Sequence, residues 1–93
     1  MDLFDLERDN TYKNFLRTVA KLVRQKRLCA GKTIEDIAYD ALAHNSTSFY
    51  SSAENFSHGK HFNLKHLFFI AEYYDCDIRE FFPYGGSNDA STE

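Results

Sequence analysis

The side chains best suited to chemistry lie in one stretch, residues 32–60, and they are hydroxyls, amides and cations. Asn45, Ser46, Thr47, Ser48, Tyr50 and Ser51 crowd together, with Lys32 and Lys60 at the two ends of the stretch. Hydroxyl and amide groups donate and accept hydrogen bonds, as the edges of nucleic-acid bases require, whereas ammonium groups suit phosphate oxygens. Ser and Thr bond several base edges and so discriminate weakly; an Arg or Gln in bidentate contact would contribute roughly 1–3 kcal/mol of discrimination, and this stretch has none. Affinity would then rest on cations more than on base contacts. A solvated polar helix face has the same composition, so the two readings stand side by side. A second group, His58, His61 and His66 with Cys29 or Cys76, contains zinc-ligand types, but its spacing is that of no finger, and no metal or other cofactor is expected. No glycine-rich phosphate loop, nucleophile elbow or paired-acid cleft is present, so nothing points to an enzyme or to a small-molecule substrate.

Positioning such a cluster requires helices. Thr33 with Asp36 three residues on is a helix start, and Ile34, Ile37, Ala38 and Ala41 continue it with one apolar face. Leu42-Ala43-His44 forms a turn, and Asn45 and Ser46 cap a further helix whose inward stripe is the narrow set Phe49, Ser52 and Ala53. A helix with so few anchors presents its other sides outward, a shape that a DNA major groove admits. Before this pair, residues 11–28 form a long helix capped by Asn10 or Thr11. Tyr12, Phe15, Leu16, Val19, Leu22 and Val23 line its inner side, and Lys13, Arg17, Lys21 and Arg24 form a basic ridge. Gly31 suits a left-handed position after its end. Asn63 caps a fourth helix with Leu64, Leu67, Phe68, Ala71 and Tyr74 inward and Ile70 beside them. Asp77 and Glu80 open a short fifth, which carries Ile78, Phe81 and Phe82 and stops at Pro83. The expected architecture is all-α: an acidic arm over 1–10, one five-helix domain over 11–84 and a small, polar, disordered tail over 85–93.

The whole chain bounds these readings. Its 93 residues suffice for one small core, to which nine Phe and six Tyr bring large rings. The net charge of −3 conceals a segregation, since residues 11–32 hold seven cations and no carboxylate, whereas residues 33–93 hold three cations and ten acids. The local field over the first helix is therefore basic although the chain is acidic. Two distant cysteines, no signal peptide and no long apolar run make a reduced cytoplasmic chain, away from membranes, the simplest reading.

Over residues 15–82 the chain resembles the Cro/repressor-type (XRE) helix-turn-helix family. The carriers are Leu22-Val23-Arg24, the segment Thr33-Ile34-Glu35-Asp36-Ile37-Ala38, Glu54-Asn55 followed by Gly59-Lys60, and above all residues 64–82. The resemblance implies a repressor-like regulator that places its third helix in the major groove of double-stranded DNA as a homodimer. It assigns Asn45, Ser46, Thr47, Ser48, Tyr50 and Ser51 to the bases, and Lys32, Thr33, Asn55, Lys60, Lys26 and Arg27 to phosphates. It further implies a structural ion pair of Arg24 with Glu54. Phe69 and Tyr73, one turn apart off the inward stripe of the fourth helix, and Tyr84 form a candidate dimer surface. Three departures fall in the DNA-reading half. Ile34 stands where the family has a phosphate-clamping Gln, the turn at Leu42-Ala43-His44 is one residue longer, and Phe56, Ser57 and His58 interrupt the usual Glu-Asn-Gly-Lys. A protein-binding adaptor with the same scaffold is the alternative these changes leave open.

Overall fold

A computed structural model describes residues 3–43 and 47–83, all of whose regular elements are helical. Helix α1 is Leu3–Cys29. It starts eight residues before the expected Thr11, so the acidic arm is helical from Leu3 onward. The exposed Leu3 and Leu6 show that this first part lies outside the core. Gly31 then takes a positive φ of 70°, the left-handed conformation that glycine adopts without a Cβ penalty.

Helix α2, Ile34–Asp36, is held by a reciprocal cap: the Asp36 N–H donates to Thr33 Oγ1 at 3.1 Å and the Thr33 N–H donates to Asp36 Oδ2 at 2.9 Å. These bonds keep the Asp36 carboxyl below its ordinary range. The helix continues as a π-turn, Ile37–Ala41, in which the Leu42 N–H reaches back five residues to the Ile37 carbonyl at 3.2 Å. A π-turn holds more residues per turn than an α-turn, so the connection through Leu42 and Ala43 begins as a widened last turn, and His44 lies outside the described residues. Ala43 follows with φ 55°. Helix α3 is Ser48–Glu54 and α4 is Leu64–Tyr74. Helix α4 has a cap of the same reciprocal kind, with the His66 N–H donating to Asn63 Oδ1 at 2.8 Å and the Asn63 N–H donating to His66 Nδ1 at 3.1 Å. The last element, Ile78–Phe81, is a single 3-10 turn rather than a fifth α-helix, capped by Asp77 through the Arg79 N–H at 2.8 Å.

The core joins Val19 and Val23 of α1 to Ile37 and Ala38, Tyr50 and Ala53, Phe62, Leu67, Ile70 and Ala71, and Phe81. Two helices are rotated relative to the expected stripes. On α3 the buried residues are Tyr50, Ala53 and Glu54; of the expected stripe Ala53 is buried and Phe49, half-buried, packs against the core, whereas Tyr50 and Glu54 take the inner places not foreseen for them. On α4, Leu67, Ile70 and Ala71 are buried while Leu64 and Phe68, expected inside, are 67% and 55% exposed. The 3-10 turn is clamped to α1 by Lys26 and Glu80 at 3.1 Å and by the Phe15 and Phe82 rings, stacked with centroids 6.1 Å apart. No helix among the described residues is long and apolar enough to cross a membrane.

Candidate nucleic-acid interface

Helix α3 is oriented by what it buries. Glu54 meets Arg27 of α1 in a fork of two bonds: Arg27 Nε donates to Glu54 Oε2 at 2.9 Å and Nη2 to Oε1 at 2.8 Å. The same guanidinium donates through Nη1 to the Lys32 carbonyl at 3.1 Å, which ties the loop before α2 into the pair. The side chains are 11% and 2% exposed, so both charges sit in the protein rather than in water. The hydrogen bonds that Arg27 donates to Glu54 raise its pKa and keep it charged. Arg27, not Arg24, is therefore the partner of Glu54. Arg24 remains exposed on α1, and the expected Arg24–Glu54 pair is corrected by one helical turn. Arg27 is consequently engaged and unsuited to a phosphate.

Beside this pair lie two buried phenols. Tyr50, expected to face a groove, is fully buried, because Tyr50, Ala53 and Glu54 form one i, i+3, i+4 stripe against the core. It is removed from the base-reading set. Among the described residues the Tyr50 and Tyr74 hydroxyls have no partner within hydrogen-bond geometry. Burial first, and the charge of Glu54 among the other causes, pushes both phenols up, Tyr74 to about 12. A phenol with an ordinary pKa near 10 in the unfolded chain keeps its proton longer in the folded one. Its contribution to stability is whole below pH ~10 and is lost as the pH rises toward the folded value. Tyr74→Phe should thus flatten part of the alkaline limb of a melting-temperature profile while leaving the Tm at neutral pH unchanged or raised. A fall of more than about 4 °C at pH 7 would show that the hydroxyl is bonded after all.

With Tyr50, Ala53 and Glu54 turned in, α3 turns out Ser48, Ser51, Ser52 and Asn55, of which Ser48 and Asn55 are exposed and the other two half-buried. This outward side has no carboxylate. Thr47 occupies the N-cap position of α3 without a side-chain capping bond, and Asn45 and Ser46 lie outside the described residues. The Asn55 amide donates to the Ser51 carbonyl at 2.9 Å, and Ser52 Oγ is 3.4 Å from His58 Nδ1. After α3 the chain turns through positive φ values at Phe56, His58 and Gly59, so the three interrupting residues form a compact knuckle. The Arg17 guanidinium lies 4.9 Å from the Phe56 ring centroid, which puts one cation of the α1 ridge at the C-terminal end of α3. Lys60 is exposed and shares a hollow with Lys13, Tyr12 and Phe56.

The remaining expected phosphate contacts divide. Lys32 is exposed, its ammonium 5.8 Å from the Tyr73 ring centroid. Lys26 is held by Glu80, which raises its pKa. Thr33 has both its hydroxyl and its N–H committed to Asp36. Ile34 packs against the core, and its alkyl side chain has no donor with which to clamp a phosphate. The exposed positions of α2 and the π-turn that continues it include Glu35, Tyr39 and Asp40, an acidic side. Of the candidate dimer residues, Phe69 and Tyr73 are half-buried, Tyr73 packs against the core, and Tyr84 lies outside the described residues. Sequence reasoning missed Arg27 as the partner of Glu54 and Tyr50 as a core ring. The only sequence signal for either was the i, i+3 spacing of Tyr50 and Ala53. Cys29 and Cys76 are both free thiols. Comparison with protein-family models, curated proteins and solved structures finds no match to this chain.

Proposed function

We propose that the protein is a small DNA-binding transcriptional regulator that lays α3 in the major groove and acts as a two-fold dimer. The observation that carries this reading is the outward side of α3, where hydroxyls and an amide face solvent while the helix's one acid is neutralised inside by Arg27. Arg17 and Lys60, near the end of α3, and the ridge cations Lys21 and Arg24 supply the positive field that phosphates need. Base selectivity rests on Ser48 and Ser51, with Asn55 kept for a phosphate, and is modest, so dimer geometry does much of the discriminating. Equilibrium titration of duplex DNA at several salt concentrations tests this. The logarithm of affinity should fall linearly with the logarithm of salt, with a slope of about 0.9 per phosphate neutralised. A slope near zero, or no binding at low salt, would remove DNA from the picture.

The acidic side of α2 favours a second reading, a protein-binding adaptor. Glu35 and Asp40 stand exposed on the helical segment that corresponds to the one beside the DNA backbone in helix-turn-helix proteins. An adaptor would show no salt-dependent duplex binding and would instead use its exposed apolar residues.

A further inference from the structure

We propose that α4 is the contact surface for a second copy of this chain, the two α4 helices lying antiparallel across a two-fold axis that passes between residues 68 and 69. This deepens the dimer assumed above and moves its site, because Tyr73 roofs the core while Leu64 and Phe68 face outward.

The outer side of α4 holds Leu64, Lys65, Phe68, Phe69 and Glu72, which share one side of a 3.6-residue helix. Leu64 at 67% and Phe68 at 55% exposure are among the most exposed large apolar side chains described, and they stand one turn apart. Beyond Phe68 is a hollow of about 280 Å³ lined by Phe68, Ala71, Glu72, Cys76 and Ile78. The same surface therefore offers both a knob and a recess, as an isologous interface requires. About an axis between 68 and 69, Leu64 of one copy falls opposite the recess of the other, and the reverse holds by symmetry.

Charge selects the direction. Lys65 and Glu72 lie two turns apart on this side, and neither forms an ion pair with another described residue. In an antiparallel pair each Lys65 faces Glu72 of the second copy, giving two opposite-charge contacts. A parallel pair would set Lys65 on Lys65 and Glu72 on Glu72, which is unfavourable. The Lys65 ammonium, 6.0 Å from the Phe69 ring centroid, already leans toward the proposed axis.

Sedimentation equilibrium of the full chain without DNA, up to about 1 mM, tests the contact on its own; its failure would remove this interface, whereas duplex binding by α3 is decided separately by the salt titration. The native chain should dimerise, and Lys65→Glu and Glu72→Lys should each weaken association by about tenfold or more. The double variant K65E/E72K should restore it to within about threefold, since the opposite charges again meet. Both side chains are exposed, and circular dichroism of each variant checks that it is folded. A native chain that stays monomeric, single variants that associate like the native chain, or a double variant as weak as the singles would each overturn the proposal.

Discussion

Replacing Glu54 with alanine is expected to lower stability by about 3–5 kcal/mol, the cost of leaving a buried charge without its partner. Arg27 is only 11% exposed at its side chain and donates three hydrogen bonds, two of them to Glu54. Without the carboxylate its guanidinium keeps one carbonyl contact and has little access to water. In a domain of this size each kcal/mol shifts the Tm by roughly 4–8 °C, so thermal melts should separate the variant from the parent by more than about 12 °C. Arg27→Ala should be comparably damaging, because it strands Glu54. Arg24→Ala should change stability by less than about 0.5 kcal/mol, as exposed substitutions usually do. If Arg24→Ala proved the costlier of the two arginine variants, the pairing described here would be wrong. The pair matters for function because it sets the rotation of α3 about its own axis. Glu54 cannot reach Arg27 unless Tyr50 and Ala53 also turn inward, and that rotation is what presents Ser48, Ser51 and Asn55.

The second large effect concerns that presented side. Ser48→Glu should weaken duplex binding by about 2–3 kcal/mol, roughly 30- to 150-fold, because a carboxylate would then approach phosphates and acceptor-rich base edges. The same substitution places an acid in the first turn of α3, where the helix dipole favours negative charge, so folding should be unharmed or slightly helped. The opposite signs of the two effects make the variant informative. A loss of binding with an unchanged melt assigns the effect to the interface rather than to the fold. Undiminished binding by Ser48→Glu would mean that α3 does not face the duplex, and the acidic side of α2 would then weigh toward a protein partner.

Much of the local structure could be read from residue order alone, because its causes are local. The caps at Thr33 with Asp36, at Asn63 and at Asp77 are satisfied within three residues, and Gly31 takes its left-handed conformation at the end of α1. An all-helical chain followed from 3.6-residue spacing of apolar positions without any strand alternation. That the segment after Asp36 closes as a π-turn was not legible, since that depends on how Ile37 and Leu42 seat against the rest of the core. The start of α1 was misplaced because the acidic residues before Thr11 lack inward anchors, and helix continuation there needs none.

What residue order could not decide was rotation. Helix α4 offers Leu64, Leu67, Phe68, Phe69 and Ile70, enough apolar side chains to satisfy several inward stripes equally well. The choice fell to packing against the π-turn and the 3-10 turn, which left Leu64 and Phe68 outside. On α3 the competing stripes differed by one residue, and a charge pair spanning 27 positions broke the tie. Periodicity along a chain specifies that a helix has an inner side. Which side is inner is set by the distant groups that side must meet, and those are brought together only when the elements pack.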